Sequence, residues 1–343
     1  MSISELVDGR RLGNYVNGAG RLAATIIQHP EIFTSGGKTP ITASIDIAAN
    51  CNLRCKHCFL YGKEHELAEV EDERFLDQVK NFKQEHPSIF HSNWLGGEPL
   101  WRKELLRKAV RLFPINWVVT NGTIPIDGEW YNTAFFISID GTRKIHNQIR
   151  QPWKAGSSQY SVYDRAKHTA NSASAPTFVH TTINQLNAHT IPDLVNEWKN
   201  DTTVGGFQFS LHTPQKIRTR ESGMSPIDER LFLQPEERSQ VVGVLHDLKD
   251  QYGNFVLMTH GQIDLLSPDA QLVAYGKNCP LPDMVVSVDS QFQQKSPCVM
   301  GPGMDCNKCG CIAPTMTHQW KNGDVGSFLL NAGTFFKPPQ RNE

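Results

Sequence analysis

Eight cysteines are the residues of this chain most able to do chemistry, and they fall in two groups. Cys51, Cys55 and Cys58 form the C-x3-C-x2-C run CNLRCKHC. Cys279, Cys298, Cys306, Cys309 and Cys311 follow much later, and the stretch between Cys58 and Cys279 has none. Core cysteines would be dispersed, because packing needs are dispersed. Two dense groups point instead to two thiolate-ligated metal centres. A zinc site closes with four ligands and a disulfide takes two, so the fourth partner of the first group is the question that the spacing poses.

The elements around these residues alternate. Runs 41–49, 91–97, 115–122, 134–141, 177–184 and 205–213 carry β-branched and aromatic residues and end at turn formers, which predicts six strands. Between them, 71–86, 102–113, 161–172 and 191–200 have helical spacing of apolar residues, and 236–253 adds a further helix ending at a glycine. Segment 122–134 is too short and polar for a helix. Repeated strand–helix units predict an α/β fold, a partial (β/α)6 barrel with a small C-terminal cysteine-rich extension. In such folds chemistry gathers at the C-terminal ends of strands. The cysteine loop, GGEP (96–99), TNG (120–122) and SIDG (138–141) all lie at such ends.

CNLRCKHC behind the first strand and GGEP ending the second, with TNG and SIDGTRKIHNQIR after them, resemble the radical S-adenosylmethionine (radical SAM) superfamily from residue 41 to about 215. The last string is similar to peptide-modifying and cofactor-maturing members. The resemblance implies that Cys51, Cys55 and Cys58 hold three irons of a [4Fe-4S] cluster and that SAM binds the fourth through its amine and carboxylate. It implies reductive cleavage of SAM to a 5′-deoxyadenosyl radical that abstracts a hydrogen atom, with an electron donor such as flavodoxin or ferredoxin. Gly96 and Gly97 would let the backbone approach the ligand. Glu98 would accept from the SAM ammonium, and Pro99 would fix the turn. Ser138 would bond the ribose or carboxylate, His57 would stack on the adenine, and Arg150 would pair with the carboxylate. Asn121, Asp140 and Asn184 serve either the SAM pocket or only the turns that contain them.

Cys279 precedes MVVSVDSQFQQKSPC, which reads as strand, turn and strand, and GPGMDCNKCGC follows. This arrangement resembles the SPASM and twitch extensions of radical SAM enzymes. Five thiols are too few for two full clusters, so one auxiliary [4Fe-4S] cluster is expected. Cys298, Cys306 and Cys309 are the expected ligands, and Cys279 and Cys311 compete for the fourth place. The competing class for the whole chain is a noncatalytic protein with two structural zinc sites.

Composition bounds the rest. The chain has 343 residues with net charge −1 and is 39% hydrophobic, enough for a sizeable core and no argument for nucleic acid. No run of apolar residues is long enough to span a membrane, and the first residues lack the pattern of a signal peptide, so a cytoplasmic protein without disulfides is expected. The expected organisation is an N-terminal helical extension (1–40), the barrel (41–215), a lid or connector with a helix (216–270), and the auxiliary-cluster region (271–343). Residues 10–30 form an apolar helical stripe, suited either to a membrane surface or to packing on the barrel.

Overall fold

A computed structural model describes residues 9–60, 68–152, 161–214 and 231–336. The six expected strands are all present: β1 Thr42–Ala48, β3 His91–Gly96, β4 Ile115–Thr120, β5 Thr133–Ser138, β7 Thr177–Ile183 and β8 Phe207–Leu211. They are parallel and lie side by side in the order β8-β7-β5-β4-β3-β1. β1 and β5 are buried along their whole length, as strands covered on both faces must be. Two short strands, β2 Leu53–Cys55 and β6 Arg150–Pro152, form a separate antiparallel pair.

The helices follow the sequence pattern closely. They are α1 Gly9–Gln28, α2 Asp72–Glu85, α3 Lys103–Ala109, α4 Arg143–Ile149, α5 Val162–Ser172, α6 Ile191–Asp201 and α7 Pro235–Tyr252. The Glu71 side chain caps α2 by accepting from the Glu73 and Arg74 amides, and Phe75, Val79 and Phe82 are its buried stripe. Pro235 opens α7 inside a capping box of Gln234 and Glu237. No helix forms between β4 and β5, as expected.

The C-terminal region departs from its expectation. The hairpin is reduced to β9 Val285–Val288 and a single antiparallel bridge, Val288 to Gln294. β9 instead joins β1 in parallel register and makes a seventh strand of the main sheet. Buried Asp46 of β1 pairs with Lys295, which fastens the cysteine-rich segment to the barrel. Beyond the cysteines, α8 Ile312–Lys321 and α9 Val325–Phe336 fold back on the sheet. Thr334 of α9 accepts a hydrogen bond from Trp117 Nε1 of β4 at 3.2 Å.

The contacts of α1 are those of barrel packing. Arg21 donates to the carbonyls of Arg111 (2.8 Å) and Leu112 (2.9 Å), and Tyr131 donates to Asn17 at 2.8 Å. Val16 and Ile27 stay exposed on the other side. No helix among the described residues is long and apolar enough to cross a membrane. The polar segment 218–230, read as lid or connector, lies outside the described residues.

Candidate active site

The loop that leaves β1 is held from three sides. The Glu69 carboxylate accepts from the Ala49 and Asn50 amides at 3.0 Å each. Arg102 donates to the Ile47 carbonyl at 2.7 Å. On the third side, the Gly97 amide donates to Ala48 O (2.7 Å) and the Glu98 amide to Asn50 O (2.8 Å). This approach explains the glycine pair: a Cβ at Gly97 would stand 2.0 Å from Asn50 O, and one at Gly96 2.3 Å from Ala48 O. The glycines therefore make room first for the cysteine loop, rather than for a ligand as the sequence suggested, although both also line the cavity.

Glu98 is likewise a framework residue. It is fully buried, and its carboxylate accepts from the Leu100 amide (3.0 Å), Thr120 Oγ1 (2.7 Å) and the Asn121 amide (2.8 Å). Through these bonds it joins the ends of β3 and β4, and two of its donors, Thr120 and Asn121, line the cavity. Pro99 is buried and opens a 3₁₀ turn. Burial raises the pKa of Glu98 despite these donors. Asn121 does face the cavity: its amide donates to Asn52 Oδ1 at 2.8 Å and toward Cys51 Sγ at 3.7 Å.

β2 and β6 place the second half of the loop. Cys55 is registered opposite Arg150. Arg150 donates to Asp140 Oδ2 at 2.6 Å and toward Cys55 Sγ at 3.8 Å. His57 Nε2 meets the same Asp140 oxygen at 3.0 Å, and the Thr182 amide donates to the other at 3.0 Å. Burial would raise the pKa of Asp140, but Arg150 and His57 outweigh it and hold the carboxyl well below its usual value. Arg150 thus serves Asp140 and Cys55, and it also lines the cavity. Asp140 is the charged centre of the site and more than a turn residue. His57 and Ser138 line the cavity. Asn184 does not: it is buried in its own turn, donating to Thr182 O and accepting from the Leu186 amide.

Cys51, Cys55 and Cys58 stand at one end of a cavity of about 250 Å³. Each feels the others' charge, and none is in a disulfide. Burial pushes the Cys51 thiol up to about 12, and the Cys55 thiol higher still. Such buried thiols stay protonated unless a metal replaces the proton. His57 Nδ1 is a buried atom on the same wall with no partner among the described residues. Three soft donors and an unsatisfied polar atom around one space fit an iron–sulfur cluster with a polar ligand beside it. Among the described residues, no three His, Cys, Asp or Glu side chains close on one point as ligands of a single ion do. Thiolates that each serve a different iron stand further apart.

The second cysteine group lies against β8, at the sheet edge opposite β9. Leu211 N donates to Gly310 O (2.7 Å), Gly310 N to Thr213 Oγ1 (3.0 Å) and Ile312 N to Ser210 Oγ (3.1 Å). A Cβ on Gly310 would stand 2.5 Å from Leu211 Cβ, so only glycine permits this docking. Arg238 of α7 donates to Cys309 O at 3.0 Å. Cys279, Cys298, Cys306 and Cys309 interact electrostatically in every pair, and Cys311 interacts with Cys279, Cys298 and Cys309, so all five thiols lie close together. Cys311 is the one of the five that lines the main cavity.

No family model matches the sequence. The sporulation killing factor maturation protein SkfB of Bacillus subtilis (strain 168) is 25% identical over 198 residues, 55% of this chain and 46% of SkfB, so the chain matches less than half of that relative's length. Among solved structures, native anSMEcpe with bound AdoMet superposes with a TM-score of 0.56 at 19% identity, covering 83% of this chain and 82% of the other. SuiB of Streptococcus suis bound to precursor peptide SuiA gives 0.53 at 11%, covering 87% and 69%. The chain has the radical SAM fold, with the cysteine loop after β1, the cavity at the strand ends and the second cysteine group docked on β8.

Proposed function

We propose that this protein is a radical SAM enzyme that abstracts a hydrogen atom from a peptide substrate, with one auxiliary [4Fe-4S] cluster. The observation that carries the reading is the convergence of Cys51, Cys55 and Cys58 on one end of a cavity at the strand ends. These three residues would hold the first cluster, and Asn121, Ser138, His57 and Thr182 line the space beside it for SAM. When bound, this pair supplies reductive scission of SAM and the radical that takes the hydrogen atom. The chain's own part is positioning. Asp140 keeps Arg150 charged beside Cys55, so a positive group offsets the negative charge of ligating thiolates. The buried walls keep water from the reacting space.

Cys279, Cys298, Cys306 and Cys309 would hold the auxiliary cluster, and Cys311 is left outside that set. A reductant such as flavodoxin or ferredoxin would supply the electron. The peptide class is supported by the precursor peptide bound to SuiB and by the maturation role in the name of SkfB.

The test is anaerobic purification, iron analysis and SAM cleavage under reductant. The parent should carry about eight irons per chain and release 5′-deoxyadenosine. Cys55→Ala should keep about four irons and lose the cleavage. A colourless parent with stoichiometric zinc, or a Cys55→Ala protein as active as the parent, defeats the reading.

A further inference from the structure

The cavity is lined by the cysteine loop, where the cluster would be held, and also by residues at the end of β8. That strand stands five places from β1 in the sheet. Gln208 and Ser210, two places apart on one face of β8, and His212 just beyond the strand line the cavity. Most of the polar atoms there are engaged. Gln208 Nε2 contacts Met316 Sδ at 3.5 Å, and Ser210 Oγ meets His180 Nε2 at 2.9 Å and accepts from Ile312 N at 3.1 Å.

His212 differs. It is 4% exposed, and its buried Nε2 has no hydrogen-bond partner among the described residues. Buried polar atoms are almost always satisfied, so an orphan on a cavity wall marks a place for a partner that enters from outside. Burial, with a smaller push from the charge on His57, lowers the imidazole to about 3, so it is neutral at physiological pH. The surroundings are apolar: Trp117, Met304 and Met316 line the same space. Among the described lining residues Arg150 is the one Lys or Arg, tied to Asp140, and none is Asp or Glu. A charged group entering here would lose its hydration without gaining a counter-ion.

We propose that His212 is a specificity-determining residue: its Nε2 hydrogen-bonds a neutral amide or hydroxyl of the peptide, and the residue so held has an uncharged, largely apolar side chain lying against Trp117, Met304 and Met316. This rests on the reading of the cavity as a peptide-modifying site.

The test uses the reconstituted full-length holoenzyme with SAM and four probes at equal concentration: the N-acetyl amides of leucine, phenylalanine, lysine and glutamate. Binding is read by saturation-transfer NMR, and 5′-deoxyadenosine release is measured in the same samples. The leucine and phenylalanine probes should bind at least tenfold more tightly than the lysine and glutamate probes. His212→Phe should weaken the neutral probes roughly three- to tenfold, the range for one lost hydrogen bond. His212→Gln, which retains a donor and an acceptor, should restore most of that loss. Equal binding of charged probes, no binding of neutral ones, or a His212→Phe protein of parental melting temperature and parental affinity overturns the proposal. Selectivity among probes needs only the parent, so a variant that fails to fold does not decide the matter. Neutral-probe selectivity without SAM cleavage would sink the radical reading alone, whereas SAM cleavage with indiscriminate probe binding would sink the assignment of His212 alone.

Discussion

The two cysteine groups are built in opposite ways. The first is local: three thiols within one loop, clamped by the backbone of Gly97 and Glu98 and by the β2–β6 pair. The second is assembled from distant segments that meet only because β9 adds to β1 at one edge of the sheet while residues 309–312 dock on β8 at the other. The contrast teaches that a local motif can be recognised from spacing, whereas an assembled one can be delimited only after its supports are known. It also separates their electrostatics. Arg150 and Asp140 form a buried ion pair beside the first group, with the His57 imidazole on the same carboxylate oxygen, and the second has mainly Arg238, which donates to backbone carbonyls at Cys309 and Leu266.

The sharpest way to break this comparison is to remove one thiol from each side of the assembled set. Cys298→Ser should lose about four of about eight irons per chain, and Cys311→Ser should lose none. Anaerobic iron analysis decides, and loss of four irons from Cys311→Ser with none lost from Cys279→Ser would reverse the ligand assignment. A smaller effect is expected from the two glycines. Gly97→Ala and Gly310→Ala each force a Cβ into backbone or a β-carbon that cannot turn aside, at roughly 1–3 kcal/mol in thermal unfolding. Gly97→Ala should lower the iron of the first site and Gly310→Ala that of the second; loss from the same site in both would show that the two are not independently supported.

The least specific effect is in pH. His146 and His212 are buried, and burial foremost lowers each to about 3. The unfolded chain takes up these protons below about pH 6.5, while the fold refuses them until about 3. Stability therefore falls as pH drops below 6.5, by up to about 1.4 kcal/mol per unit for each imidazole. Urea midpoints between pH 7 and 5 should show this slope, and His146→Gln should flatten it. An unchanged slope in that variant would remove His146 from the account.

Much of the barrel was legible. The six strands could be found because β-branched runs ended at turn formers, and the helices because their apolar spacing was regular. β2 and β6 were not legible, since three-residue strands carry no pattern of their own and exist only through pairing. The same pairing placed Arg150: the resemblance had marked it as a site residue, and its register opposite Cys55 set what it touches. Glu98 was expected to meet a ligand; its partners in the fold are the Thr120 hydroxyl and the amides of Leu100 and Asn121, two of these three at the end of β4. His212 ended a predicted strand and gave no further signal; its importance lies in an unsatisfied nitrogen, which no linear pattern reveals.

Local covalent order is what the sequence determined alone: three thiols close enough along the chain to share one loop, and alternating segments whose periodicity commits them to strand or helix. Tertiary structure decided everything that depends on neighbours distant in the chain. It brought the five thiols of the second group together, turned Glu98 inward, and gave Asp140 the Arg150 guanidinium and the His57 imidazole as partners. The physical reason is range. Backbone propensity acts over a few residues, whereas burial, charge pairing and close packing act between whatever surfaces the folded chain brings into contact.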